Sequence, residues 1–84
     1  MSSQLNAVMI FHSIHKIMKA EKVLRKANLT VRLMPVPRQL SSDCGLSVAF
    51  RLKDFETARS CLEAAKCTFE EVYVLEGDTY KRLA

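Results

Sequence analysis

The stretch Pro37–Gly45 reads PRQLSSDCG and gathers a thiol, two hydroxyls, a carboxylate and a glycine in one polar run between two apolar ones. A cysteine that serves as a core hydrophobe usually sits inside an apolar segment. Cys44 does not. Sulfur chemistry needs the thiolate, which a free cysteine with a pKa of about 8.5 forms only in part near neutrality, and which helix N-termini and nearby cations favour. Arg38 in the same run supplies a cation. Ser41 and Ser42 supply hydroxyl donors for a sulfur or selenium anion, and Gly45 lets backbone approach closely. Asp43 opposes this, because a neighbouring carboxylate raises a thiol pKa. Its other use is an Asx-turn that shapes the loop. Cys44 is therefore a working thiol or a turn residue without chemistry, and the local pattern leaves both open.

Cys61 and Cys67 bring the cysteine count to three, which excludes a complete internal disulfide framework. No C-x-x-C pair is present, so zinc-ribbon and thioredoxin signatures are missing. Cys61 falls on the apolar side of an expected helix and reads as a packing residue. Cys67 falls just past that helix, either as a resolving thiol for Cys44 or as a plain helix-end residue. His12 and His15 lie three apart across an expected helix start, where paired histidines can bind a metal or simply face water. No metal and no cofactor is expected. The chain contains no G-x-x-x-x-G-K-[ST], G-x-G-x-x-G or H-E-x-x-H motif. Its six aromatics, four Phe and two Tyr, are needed for the core, so a sheet-face RNA reader is not expected either.

The elements that must position these residues follow from hydrophobic periodicity. Leu5–Phe11 is nearly all apolar and reads as a buried central strand. Ser13 is a suitable N-cap for a helix over Ile14–Ala27. In that helix Ile17, Ala20, Leu24 and Ala27 form the inward stripe and Lys19, Lys22 and Lys26 repeat on the other side, with Asn28 as the stop. Thr30–Val36 is rich in strand formers but carries Pro35, which places it at a sheet edge. Leu46–Leu52 alternates, with Leu46, Val48, Phe50 and Leu52 toward the core. Asp54 is expected to cap a second helix, FETARSCLEAAK, with Phe55, Ala58, Leu62 and Ala65 inward. Glu71–Leu75 is the last strand, Gly77 ends it, and DTYKRLA is a tail of uncertain order.

The order βαββαβ in 84 residues predicts one α+β domain. Its fold is expected to be ferredoxin-like, an antiparallel sheet with both helices on one face. The core is expected over about residues 5–76, with 77–84 as the tail. In that topology the His12–Ser13, Pro37–Gly45 and Lys66–Phe69 connections meet at one end of the molecule. No apolar run approaches the roughly 20 residues that cross a bilayer. Met1–Asn6 lacks a charged region followed by a long apolar one, so no leader and a cytoplasmic setting are expected. From His12 to Lys53 nine lysines and arginines face two acids, and from Asp54 onward four face seven. The basic face of the first helix (Lys19, Lys22, Lys26) is the expected partner-docking surface. Solvated surface charge is the alternative.

FHS at the end of the first strand, AEKVLRKA in the first helix and the run VRLMPVPRQLSSDCGLSVAF make the chain resemble a known family. These are the small bacterial and archaeal proteins described as selenium/sulfur carrier-like, long counted as a domain of unknown function. The resemblance spans roughly Ala7–Leu75, with PVPRQLSSDCG as its specific part. It implies Cys44 as the carrying thiol. Arg38, Ser41, Ser42 and Gly45 form its shell, and Pro35 and Pro37 its rigid approach. It further implies protein partners that donate and accept the sulfur or selenium. The residues offer no general acid/base pair and no cofactor site, so a carrier rather than a full catalyst is expected. Two other functions stay open beside it. One is a non-catalytic interaction module that pairs with a second copy through a sheet face or edge. The other is a thiol-disulfide or metal sensor using Cys44 and Cys67.

Overall fold

Four consecutive apolar residues, Ala7–Ile10, form a strand (β1) whose side chains are buried on both faces. This is the burial expected of a strand at the centre of a sheet. In the computed structural model, which describes residues 5–40 and 46–83, the chain continues through α1 (Ile14–Lys26), β2 (Val31–Pro35) and β3 (Leu46–Phe50). A 3-10 turn at Leu52–Asp54 leads into α2 (Phe55–Ala64), followed by β4 (Glu71–Glu76) and β5 (Thr79–Arg82). The sheet order is β2-β3-β1-β4-β5, antiparallel throughout. The fold is the expected α+β, ferredoxin-like arrangement, with one strand added at the C-terminal edge.

Register explains where the core sits. Phe50 lies opposite both Ala7 and Val31, and Met9 lies opposite both Val48 and Val72, so these side chains share one face. Ile17, Ala20 and Leu24 of α1 and Ala58 and Leu62 of α2 close over them in one cluster. Both helices therefore cover the same side of the sheet. The stripe predicted for α1 is the buried one, apart from Ala27, which is the half-buried cap residue.

Both helices stop in the same way. Asn28 takes φ 65°, donates from its N–H to Arg25 O and is followed by a Leu29 N–H to Leu24 O bond. Lys66 takes φ 55°, bonds Glu63 O, and is followed by a Cys67 N–H to Leu62 O bond. These are paired Schellman closures, in which the residue after the left-handed position turns an apolar side chain back onto the helix.

Three local features differ from the sequence expectation. Asp54 stands at the α2 N-cap without a side-chain capping bond, and its carboxylate instead accepts from Arg51 Nε at 3.1 Å. The 3-10 turn brings the backbone into the helix already curled, so a local ion pair takes the carboxylate. Ser47 and Ala49 lie on the other face of the strand, opposite Ile10 and Val8, as the alternation predicts, yet that face too is buried there. They lie between β1 and β2, and the Ser47 hydroxyl donates to Met34 O at 3.1 Å, which makes its burial affordable. The tail is a hairpin strand. Gly77 takes φ 61° at the first position of a two-residue turn, Gly77–Asp78, and Thr79–Arg82 pairs back along β4. A glycine there suits the II′ geometry that tight hairpins favour.

Candidate functional site

The site is framed by the end of the sheet where β1 gives way to α1. Ser13 is extended, at φ −124° and ψ 130°, and its hydroxyl accepts from the Lys16 N–H at 3.4 Å, so the predicted cap is formed. His12 and His15 flank it and both are exposed. Phe11, just before, is buried and joins the core. Phe11, His12, Ser13, Ile14, Ile17 and Leu46 line a cleft of about 210 Å3. Its floor is apolar and its rim carries the free N–H groups and partial positive charge of a helix start. A broader cleft of about 470 Å3 lies along β2, on Leu5, Thr30, Val31, Arg32, Met34 and Ala49, none of which is a sequence-predicted site residue.

The connection that carries Cys44 leaves and re-enters the sheet at this same end. Pro35, the last residue of edge strand β2, lies opposite Leu46, the first of β3. Leu40 N–H bonds Pro37 O at 2.9 Å, which closes a turn across Pro37, Arg38, Gln39 and Leu40. Arg38 is exposed at the turn. Ser41, Ser42, Asp43, Cys44 and Gly45 lie outside the described residues. Leu46, directly after Gly45, is a wall of the 210 Å3 cleft. Leu46, the first residue of β3, therefore stands beside the N-terminus of α1.

Cys67 also reaches this end. It is 2% exposed, and its Sγ–H donates to the Lys16 carbonyl at 3.3 Å. Burial pushes its thiol above the ordinary value, while Lys19 and Lys16 pull it partly back. Its place in the α2 closure accounts for this burial, because it supplies the apolar residue that the Schellman turn packs inward. A resolving thiol works as an accessible thiolate, and Cys67 is neither accessible nor favoured as a thiolate. Cys61 is half-buried against the core, as expected for a packing residue, and both are free thiols.

The Cys67 shift has a stability consequence. The fold favours the neutral thiol, whereas an unfolded cysteine deprotonates near pH 8.5. This contribution is complete below that pH and is lost as pH rises toward the higher folded value. Urea-unfolding free energy is expected to fall as pH rises above about 8.5, and Cys67→Ala is expected to flatten that slope. An identical slope in the variant would contradict the assignment.

Charges near the site divide into paired and unpaired. Lys16 pairs with Glu70 at 3.3 Å, and Glu21 pairs with Arg25 at 2.9 Å. Lys19, Lys22 and Lys26 are exposed and make no ion pair among the described residues. Among those residues no group of three or more His, Cys, Asp or Glu side chains is gathered for a metal ion. No helix among them is long and apolar enough to cross a membrane.

A family model described as "Putative Se/S carrier protein-like" matches residues 6–74. The chain belongs to this Se/S carrier-like family. The match runs from the start of β1 into β4 and includes the whole Pro37–Gly45 connection, while β5 lies beyond it. No curated protein and no solved structure matches the chain. Sequence reasoning missed one feature at this end of the molecule. Ile14 and Met18 are 60% and 58% exposed on α1, and Ile14 lines the cleft. Their spacing of four, off the Ile17–Ala20–Leu24 stripe, is the signal that would have found them.

Proposed function

We propose that this protein carries sulfur or selenium on Cys44 between a donor enzyme and an acceptor. The observation that carries the reading is the family match over both halves of the fold, with PRQLSSDCG inside it. The frame is compatible with it, because Leu46, the residue after Gly45, lines the cleft at the α1 N-terminus, where anions are favoured. In the loading step the Cys44 thiolate attacks the outer sulfur of a donor persulfide, such as that of a cysteine desulfurase. A new S–S bond forms at Cys44, the donor's S–S bond breaks, and the donor cysteine leaves as thiolate. The proton on the transferred sulfur stays with it or is lost to water, and there is no net oxidation. Delivery is the same exchange in reverse, with an acceptor thiolate attacking the outer sulfur. The loop hydroxyls of Ser41 and Ser42, the Gly45 backbone and the Arg38 cation are the groups assigned to hold the anion. The test is incubation with a purified cysteine desulfurase and cysteine, followed by peptide mass spectrometry. Gain of sulfur at Cys44 is the expected result, and gain at Cys61 alone, or at no cysteine, would overturn it.

A further inference from the structure

We infer that the outer surface of α1 is a docking site for an acidic protein segment carrying an apolar anchor, with Ile14 and Met18 receiving the anchor and Lys19, Lys22 and Lys26 the acids. The carrier reading identifies that partner as the sulfur donor or acceptor, and the proposal rests on it for this identity alone.

Large apolar side chains standing singly on a surface need no explanation. Ile14 and Met18 are not single. They are one helical turn apart, 60% and 58% exposed, and Ile14 continues into the cleft floored by Phe11, Ile17 and Leu46. Exposed apolar surface that is contiguous and rimmed by polar groups marks interaction sites. The rim here has one sign. Lys19, Lys22 and Lys26 recur at steps of three and four, which lines them up along the helix beside Met18. The neighbouring cations Lys16 and Arg25 have carboxylates from this chain, and the row has none among the described residues.

Charge complementarity selects the occupant. A second copy docked by the same surface would set lysines against lysines, with Glu21 already engaged by Arg25. A phosphate backbone would use the lysines and leave Ile14 and Met18 uncovered. An acidic segment with an apolar anchor uses both. The surface begins at the α1 N-terminus, where Ile14 shares the cleft with Leu46, the first residue of β3.

The test uses the full chain and two synthetic helical peptides, one with a row of Glu and an adjacent pair of Leu, the other with those Leu replaced by Ser. Binding is followed by NMR, with duplex DNA and anionic phospholipid vesicles titrated in parallel. The Leu peptide is expected to bind at low salt and to shift the Ile14 and Met18 methyls. Binding is expected to weaken about tenfold with the Ser peptide, with Ile14→Ser/Met18→Ser, and with Lys19→Glu/Lys22→Glu/Lys26→Glu. These surface changes leave the fold intact, which the amide spectrum checks. Equal binding of the two peptides overturns the proposal. So does binding unaffected by charge reversal, or methyl shifts produced only by DNA or vesicles. Loading of Cys44 by inorganic polysulfide needs no docking and is measured alongside. Failed loading with intact peptide binding overturns the carrier reading alone, and the converse overturns the docking site alone.

Discussion

Phe50→Ala is expected to cost about 3–5 kcal/mol of folding free energy, the range for deleting a buried phenylalanine side chain. Phe50 is 1% exposed and lies between Ala7 and Val31 on the helix-covered face of the sheet. Its ring stacks on Phe55 at 6.3 Å between centroids, and Phe55 meets Phe69 at 6.1 Å. One side chain thus joins the three strands β1, β2 and β3 to the first turn of α2 and to the approach of β4. Native domains are stable by only about 5–15 kcal/mol, and a chain of 84 residues is expected near the low end. The variant is therefore expected to lose its cooperative urea transition at 37 °C, followed by far-UV circular dichroism. Phe69→Ala, at a half-buried position, is expected to keep one. A cooperative Phe50→Ala transition shifted by less than about 1 kcal/mol would show that the site collapses around the loss.

Cys44→Ser is expected to abolish sulfur loading by a cysteine desulfurase, whereas Cys61→Ser and Cys67→Ala keep it. A hydroxyl oxygen cannot hold sulfane sulfur as a thiolate does, so the loss is complete rather than graded. Cys61 and Cys67 are packing residues, the first half-buried against the core and the second fully buried at the α2 closure. Their removal acts through stability, and loading measured on the folded fraction is unchanged. Because Cys67 is buried with its thiol pushed up, its variant also separates the carrier from a sensor that would pair Cys44 with Cys67. Loss of loading in Cys67→Ala with the fold intact would favour the sensor.

Most of the fold was legible because strong periodicity and strong punctuation coincide in this chain. LNAVMIF could only be a central strand, Ser13 and Asn28 bracket α1 with specific cap chemistry, and Pro35 marks the edge. The hairpin strand β5 was not legible because TYKR has no buried face, with Tyr80 half-buried and its neighbours exposed. Its only signal was Gly77 next to Asp78, a tight-turn pair read as a terminus. Asp54 misled because cap propensity does not see a competing arginine three residues earlier. At the site, residue types singled out Cys44, and topology brought Cys67 and the α1 start to one end as expected. What the pattern could not show is that Cys67 is buried, because burial there comes from the Schellman turn and the packing of two helices distant in sequence.

The most direct test of Cys44 as the carrying thiol is the rate of alkylation at each cysteine of the native protein, read by mass spectrometry across pH. Cys44 is predicted to react fastest, with an apparent pKa well below the free-thiol value of about 8.5. Cys67 is predicted to react only as fast as the protein unfolds. A Cys44 that reacts slowly, or with the pH profile of an ordinary free thiol, would contradict the carrier account.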